Sequence, residues 1–314
     1  MEYDVIIIGG GPAGMYTALT LSEKNIENIL VLELGEDLGG NLNYIIEADE
    51  TFEREGYTGV EMADDLRRSL ILHGIDYETK SYVLSVDKED EKKRLQVLSP
   101  DKGLYHVKAR SLVVATGARE RPRGILNFVT GRTTGIFSVG TARKFIVEEG
   151  YLPGNRILIY GADWTGLYLA KLLKTEGADE VTIVDQVKEL NYPSEMLEEF
   201  HRIHDIKALP GWVLTDIQGE DRITGVTLEK TSGKSTDSDR TIEMPCDTIL
   251  LAVGLTPQRQ LYRKFRRNPE EKGVFITGNA DRITLDLRDI QKRARQTAEQ
   301  VEAYLKVQNE RNES

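Results

Sequence analysis

Two stretches of the chain share one order of apolar and polar segments. Each begins with a short apolar run, continues through a glycine-rich turn and a helical pattern, and ends in a second apolar run followed by an acidic residue. The first stretch covers residues 3–33 and the second covers residues 156–185. Strand-like segments that alternate with helical ones are typical of α/β folds with a parallel sheet. The pattern therefore predicts two similar α/β units.

Each stretch is followed by short segments of alternating polarity and then by a strongly apolar strand. The turn sequences at 99–103 and 219–221 predict antiparallel hairpins in these regions. The closing strands, at 112–117 and 249–254, are continuously apolar and end in glycine. Strands of this kind are buried on both faces, as in a parallel sheet covered by helices. Helical periodicity over 285–307, followed by a polar tail, predicts a C-terminal helix.

The glycine turn at residues 9–14 lies in a specific context. An apolar strand at 5–8 precedes it, and Pro12 is well placed in the first turn of the following helix. A second strand at 29–32 ends in Glu33. A G-x-G-x-x-G turn alone is a weak signal, but strand, turn, helix, strand and acidic residue together predict a dinucleotide site.

The residues of this turn have separate predicted roles. Gly9 makes the tight turn, Gly11 lets the backbone approach a pyrophosphate, and Gly14 lets helix and strand pack closely. Helix N–H groups and the positive end of the helix dipole would hold the anion. Glu33 can accept hydrogen bonds from a ribose, and its charge would repel a 2′-phosphate.

The second glycine turn, at residues 161–166, departs from this pattern. Gly161 and Gly166 are present, but Asp163 replaces the middle glycine, where a carboxylate adds bulk and repels a pyrophosphate. Asp185 closes the next strand and could bind a ribose, which favours NAD over NADP. Two alternatives stay open. Either NADH binds in a shifted pose, or the second unit has kept its fold and lost its nucleotide.

Composition and charge exclude several classes of function. With 39% hydrophobic and 30% charged residues, the chain suits a folded protein rather than a disordered one. Its net charge is −11 and its longest basic stretch is 263–267, so nucleic acid and anionic membranes are poor partners. No apolar run is long enough to cross a bilayer. The N-terminus has no basic region or cleavage site, so we expect a cytoplasmic protein.

The remaining chemistry-bearing residues predict no further site. Cys246 is the single cysteine, so the chain cannot form an intrachain disulfide or a Cys-x-x-Cys pair, and we interpret Cys246 as a buried small hydrophobe. His201 and His204 are close in sequence, but no further ligand cluster supports a metal site, and exposed helix positions are the better interpretation. We assign no catalytic acid or base and no metal.

With these motifs, nearly the whole chain resembles the two-domain pyridine nucleotide-disulfide oxidoreductase superfamily, at the length of its thioredoxin-reductase-like members. The resemblance implies two Rossmann-like three-layer dinucleotide-binding domains of the α/β class, the second inserted in the first. The first domain would contain residues 1–120 and 246–314 and bind FAD, and the second, 121–245, would be NAD(P)-binding-like.

The resemblance also implies the residues that hold FAD. The first turn would contribute Pro12 and Ala13 beside its glycines, and Gly40 and Asn41 would approach the flavin. The backbone near Val83 would meet the adenine. Further cofactor contacts would come from the strand ends, at Thr116, Gly117 and Asn279.

Asn279 stands where the superfamily has an aspartate that binds the ribityl chain. An asparagine still accepts and donates hydrogen bonds, so flavin binding is expected to survive the change. The helix after Asn279 would direct its N-terminus toward the flavin pyrimidine and favour the reduced anion.

Residues 115–124 and 135–142 are similar to a narrower group within the superfamily, which lacks the redox disulfide. That group includes flavoprotein subunits like those of cyanide synthase, opine oxidase and glycerol-3-phosphate-linked dehydrogenases.

The leading hypothesis is an FAD-dependent oxidoreductase that passes electrons from NADH to an unidentified acceptor. One alternative is an FAD-binding electron-transfer subunit of a larger dehydrogenase complex without its own nicotinamide site. The other is a non-enzymatic flavin-bound scaffold or redox sensor. We also expect a homo-oligomer.

Overall fold

The computed structural model describes residues 1–46, 48, 52, 56–89, 91–121, 124, 133–190, 198, 200–231, 240–265 and 267–313. The chain forms two compact units. The first unit consists of Met1–Arg119 and Thr256–Ser314, and the second is Glu120–Leu255. The second unit is thus inserted in the first along the chain.

In its described part, the first unit is built on one mixed sheet with helices. Its strands are β1 (Glu2–Ile8), β2 (Ile29–Leu32), β3 (Asp76–Glu78), β4 (Tyr82–Glu89), β5 (Lys92–Ser99), β6 (Gly103–Val114) and β17 (Val274–Ile276). Its helices are α1 (Pro12–Glu23), α2 (Gly59–Leu72) and α5 (Leu287–Glu313). The sheet order is β3-β2-β1-β6-β5-β4, and β17 pairs with β6 beyond the point where β5 ends.

Alternate residues of β1 face two different cores. Val5 and Ile7 pack with residues of α1, α2 and α5, whereas Ile6 and Ile8 pack with residues of β4, β5 and β6. A strand with apolar side chains on both faces is buried on both sides, which gives the unit three layers. β1, β2, β6 and β17 are parallel to one another where they pair, and Ile8 and Val114 lie level at their carboxyl ends. Ligands of open α/β sheets bind outside this edge.

The described part of the second unit repeats the layout with a parallel sheet and an antiparallel one. Its strands are β8 (Ile136–Ser138), β9 (Arg156–Tyr160), β10 (Glu180–Asp185), β11 (Ile206–Pro210), β12 (Trp212–Gln218), β13 (Gly225–Lys230), β14 (Thr241–Pro245) and β15 (Thr248–Leu251). Its helices are α3 (Val139–Val147) and α4 (Trp164–Thr175). The parallel sheet has the order β11-β10-β9-β15-β8, and β12, β13 and β14 form the antiparallel sheet. Two short strands, β7 (Ala118–Glu120) and β16 (Leu255–Pro257), pair where the chain passes from one unit to the other.

The structure confirms the predicted α/β class with parallel sheets and both predicted hairpins, β5 with β6 and β12 with β13. The predicted domain boundary at residue 246 differs from the observed one. Thr248–Leu251 pairs with β9 and β8, so this strand completes the sheet of the second unit.

The C-terminal helix is longer than its predicted span of 285–307. α5 continues to Glu313, because the polar tail contains no proline or glycine to end it, and Arg110 donates a hydrogen bond to the Asn309 side chain. Among the described residues, no helix is both long and apolar enough to cross a membrane.

Candidate functional site

Gly9 and Gly14 are fixed as glycines by the packing of the first turn. Gly9 has φ +110°, and a Cβ there would lie 2.3 Å from the Ala115 carbonyl oxygen. A Cβ at Gly14 would lie 1.9 Å from the Gly9 carbonyl oxygen. Both distances are far below van der Waals contact, so these two glycines let β1, β6 and α1 meet closely. Their predicted packing roles agree with this geometry.

Gly11 is different, because the packing of the turn does not require a glycine there. Its backbone is extended, with φ −72°, and a Cβ would meet only the Gly40 Cα, at 4.0 Å. Gly11 is the N-cap of α1 and offers no side chain to cap it, while Pro12 begins the helix as predicted. The helix start therefore keeps its N–H groups and its positive end open to an external anion.

The Gly39–Gly40 segment lies against this turn. The Gly39 N–H donates to the Gly10 carbonyl at 2.8 Å, and a Cβ at Gly40 would lie 3.0 Å from the Gly11 Cα. Gly40 also has φ +54°, so a side chain there is disfavoured both by the close contact and by the backbone conformation. Asn41 follows in a short 3₁₀ turn and is exposed. The two segments form a cradle without side chains in front of α1.

Glu33 is held at the end of β2 by backbone donors. Its carboxylate accepts from the Gly10 N–H and the Gly35 N–H, each at 2.6 Å. The Ser81 N–H donates to the Glu33 carbonyl at 2.8 Å, which places the chain before Val83 beside it. The Val83 side chain is buried in the core, and its strand, β4, is the last in the order of the sheet, so Val83 could serve a ligand only through its main chain.

The residues after β6 are anchored to the C-terminal part of the first unit. The Thr116 hydroxyl donates to the Gln258 carbonyl at 2.7 Å, and the Gln258 N–H donates to the Gly117 carbonyl at 2.9 Å. Gly117 has φ +67°, and no heavy atom lies within 4 Å of a Cβ built there. This glycine is therefore required by its backbone conformation and leaves open space beside the strand end.

Asn279 follows β17 in a turn that touches the start of α1. A Cβ at Gly278 would lie 2.5 Å from the Ala13 Cβ, and the Asn279 Oδ1 accepts from the Thr284 N–H at 2.9 Å. The helix predicted after Asn279 over residues 285–307 is present as α5. A 3₁₀ turn occupies Gly278–Ala280, and the Asn279 side chain binds the loop that leads to the start of α5 at Leu287.

The predicted residues of the first unit thus gather at one edge of one sheet. The glycine turn, Gly40, Glu33, Thr116, Gly117 and Asn279 all follow, or lie against residues that follow, the carboxyl ends of parallel strands. An open helix start, a cradle without side chains and a fixed carboxylate fit the pyrophosphate and ribose of FAD. Sequence reasoning did not find Arg259 and Arg293, which bind the Asn279 turn, since no motif marks them.

The second turn repeats the packing of the first. Gly161 has φ +109° and its Cβ would lie 2.0 Å from the Ala252 carbonyl oxygen, while a Cβ at Gly166 would lie 2.9 Å from the Gly161 carbonyl oxygen. The Asp185 carboxylate accepts from the Ala162 N–H at 2.7 Å, as Glu33 accepts from Gly10.

Asp163 changes the chemistry of this second helix start. As the N-cap of α4 it has φ −77°, and its carboxylate accepts from the Gly166 N–H at 3.0 Å and from the Thr165 hydroxyl at 2.5 Å. The chain itself therefore supplies the anion that caps α4. A dinucleotide pyrophosphate laid on this turn would compete for the same donors and meet a negative charge. The residues of the second turn do not fit it in the way that those of the first turn do.

Cys246 and the histidine pair offer no second site. Cys246 is buried, and burial, with a smaller contribution from Asp247, raises the pKa of its thiol from 9.0 to about 12. His201 is exposed on a helix, whereas His204 lies beyond that helix and is half-buried, so only His201 matches the prediction. No group of three or more metal-ligand side chains occurs within the described residues.

Known proteins resemble the chain over nearly its full length. A thioredoxin reductase from Mycolicibacterium smegmatis is 28% identical over 90% of this chain and 86% of its own length. A protein from Rhizobium meliloti that is named as one of the subunits of opine oxidase is 26% identical over 89% of this chain, which covers 56% of that longer protein. The crystal structure of Lactococcus lactis thioredoxin reductase has a TM-score of 0.76 at 20% identity, covering 96% of this chain and 98% of that one.

The family model for pyridine nucleotide-disulphide oxidoreductases matches residues 3–286. Members of this family are flavoprotein oxidoreductases that bind FAD and use NADPH or NADH. The single cysteine agrees with the predicted position of this chain among members without a redox disulfide. The chain belongs to the pyridine nucleotide-disulphide oxidoreductase family.

Proposed function

We propose that this chain is an FAD-dependent oxidoreductase that holds FAD on its first unit and passes electrons from NADH to an acceptor. The observation that carries the proposal is the open start of α1 at Gly11, faced by Gly40 and flanked by Glu33. This arrangement matches the needs of a pyrophosphate for donors and close approach, and of a ribose for a carboxylate.

Each predicted residue of the first unit then has a role toward the cofactor. The turn at residues 9–14, with Pro12 and Ala13 at the helix start, donates N–H groups to the pyrophosphate. Glu33 orients the ribose, and the main chain near Val83 borders the adenine. Gly40, Asn41, Thr116, Gly117 and Asn279 line the flavin end. Bound FAD would supply hydride acceptance and onward electron transfer, chemistry that the side chains alone lack.

The single cysteine decides how electrons leave. A disulfide reductase passes electrons from its flavin through a pair of cysteines, and this chain has only Cys246, which is buried. Electrons therefore leave the flavin directly to the acceptor. We also retain the predictions of a cytoplasmic location and a homo-oligomer.

A second candidate is an FAD-binding electron-transfer subunit that receives electrons from a partner dehydrogenase. Asp163 favours it, since the carboxylate caps α4 where a nicotinamide dinucleotide would place its pyrophosphate. The similarity to a protein named as one of the subunits of opine oxidase supports it as well. Asp185, placed as Glu33 is, supports the NADH version.

An anaerobic reduction experiment tests both candidates. The purified protein is saturated with FAD, its visible spectrum is recorded, and NADH or NADPH is added without oxygen. Bleaching of the flavin by NADH supports the first candidate. Bound flavin that neither nucleotide reduces, together with a co-purifying dehydrogenase subunit, supports the second. A protein that carries no flavin and takes up none contradicts both.

A further inference from the structure

Two arginines hold the turn that carries Asn279. The Arg293 guanidinium, on α5, donates to the Gly278 carbonyl at 3.1 Å and to the Arg282 carbonyl at 2.8 Å. Arg259 donates to the Ala280 carbonyl at 2.8 Å and also to the Asp281 carbonyl. Four carbonyls within residues 278–282 are thus bound by two guanidinium groups.

This network fixes the turn beside the start of α1. Gly278 packs so closely on Ala13 that a Cβ would lie only 2.5 Å away, and the turn is therefore part of the wall around the first glycine turn. The Asn279 Oδ1 is already used by the Thr284 N–H. Its amide group is thereby oriented, with the two Nδ2 hydrogens left to donate. A shift of the turn by a few tenths of an ångström would move Asn279 relative to α1.

Arg293 is a costly residue to use only for stability. Its side chain is largely buried, and its Nε atom is buried without a hydrogen-bond partner among the described residues. Within the described part of the chain, it forms an ion pair with Asp289, at 3.1 Å. A buried donor left unsatisfied destabilises a fold. A shorter apolar side chain at position 293 would avoid that penalty. We therefore attribute the arginine to its hydrogen bonds with the carbonyls of the turn.

We propose that Arg259 and Arg293 are positioning residues that fix Asn279 for FAD binding. The inference rests on the proposed FAD site of the first unit. Because the charges of Asp281 and Asp289 lie beside these arginines, the effect is geometric more than electrostatic. The guanidinium fork suits the task, since one planar group reaches two carbonyls in fixed directions.

FAD affinity of variants tests the proposal. Apo-protein is titrated with FAD, and the dissociation constant, visible spectrum and apo-protein Tm are measured for the native chain, Arg293→Met, Arg293→Lys and Arg259→Met. Arg295→Met is the matched control, since Arg295 lies on the same helix, further from its start than Arg293, and is exposed. We expect Arg293→Met to weaken FAD binding about tenfold, in keeping with the loss of about 1.4 kcal/mol. Arg293→Lys should recover part of this loss, and Arg295→Met should bind like the native chain.

The outcomes separate this proposal from the proposed function. Native protein that binds no FAD overturns the function itself. Native protein that binds FAD, with Arg293→Met and Arg259→Met binding equally tightly and showing the native spectrum, overturns only the positioning role. If Arg293→Met fails to fold, Arg259→Met carries the same test from the opposite side of the turn. The role is also overturned if Arg293→Lys binds as weakly as Arg293→Met.

Discussion

The two glycine turns share their packing and differ in what they offer to a ligand. In both, the outer glycines make contacts that no side chain could fit, and an acidic residue accepts from a turn N–H. In the middle position the first unit has Gly11 and an open helix start, whereas the second has Asp163, which caps its own helix. The outer glycines are therefore required by the packing of the fold. The middle residue decides whether the helix start is open to an anionic ligand.

Introducing the aspartate of the second turn at the equivalent position of the first turn should have the largest effect on FAD binding. Gly11→Asp is expected to weaken FAD binding at least about 100-fold, because a carboxylate would cap α1 and repel the pyrophosphate, and like charges in contact cost several kcal/mol. The substitution suits the fold, since Gly11 has an extended backbone close to that of Asp163 and free space at its Cβ. The measurement is the flavin content of the purified variant and the FAD dissociation constant of its apo-protein.

Gly11→Asn separates charge from bulk in that experiment. Asparagine is nearly isosteric with aspartate and also caps helices well, but carries no charge. We expect it to weaken FAD binding about tenfold, between the native chain and Gly11→Asp. A Gly11→Asp protein that keeps a full complement of FAD would contradict the assignment of this turn as the pyrophosphate site.

The reverse change should partly open the helix start of the second unit to a dinucleotide. Asp163→Gly is expected to raise the affinity for NADH about tenfold, because it frees the Gly166 N–H and removes a negative charge. An N-cap aspartate changed to glycine destabilises a helix by only a few tenths of a kcal/mol, so the fold should persist. NADH binding is followed by fluorescence titration, with Tm as the check on folding.

Asp163→Asn is the matched variant for this test, since it keeps a cap and loses the charge. Its NADH affinity should fall between those of the native chain and Asp163→Gly. Unchanged affinity in both variants would show that the second turn is closed to the dinucleotide for a reason other than Asp163.

The contrast between the turns shows what the sequence could predict. The roles of Gly9, Gly14, Gly161 and Gly166 follow from local spacing after an apolar strand, and the structure gives each a packing reason. Asp163 was predicted to obstruct a pyrophosphate, but its capping of α4 was not, although an aspartate three residues before the bonded N–H of Gly166 is a local signal.

Contacts between residues far apart in the sequence could not be predicted from such local patterns. The strand Thr248–Leu251 belongs to the second unit because it pairs with β9, nearly a hundred residues earlier, and no local signal gives that pairing. Arg293 reaches the Gly278 carbonyl only because the loop after Asn279 folds back on α5.

The acidic residues that bind the two turns, Glu33 and Asp185, can be compared in the same way, with a smaller expected effect on FAD affinity. Glu33→Gln is expected to weaken FAD binding about fivefold, because an amide cannot accept at both positions that now hold the Gly10 and Gly35 N–H groups. Asp185→Asn makes the same change in the second unit and should leave FAD affinity unchanged. Equal losses of FAD affinity in both variants would indicate a general effect on folding rather than a ligand contact.

The smallest predicted effect concerns one buried titratable group in each unit, Lys93 and Cys246. Burial lowers the pKa of Lys93 in the first unit from 10.5 to about 8, and burial raises the pKa of Cys246 in the second from 9.0 to about 12. Lys93 donates to the Arg110 carbonyl at 2.5 Å and to the Tyr304 hydroxyl at 3.2 Å, which links β5 to α5. Between these two pKa values of Lys93 the unfolded chain binds more protons than the folded one, so stability rises with pH.

From about pH 7.5 to about pH 9, the native chain should therefore gain about 1 kcal/mol of unfolding free energy relative to Lys93→Met. Cys246 acts in the opposite direction and mainly at higher pH. The unfolded thiol loses its proton above pH 9.0 while the folded one keeps it to about 12, so this group lowers stability in that range. Urea denaturation of native protein, Lys93→Met and Cys246→Ala across this pH range measures both slopes. Identical pH slopes for native protein and Lys93→Met would show that Lys93 keeps its charge in the folded chain.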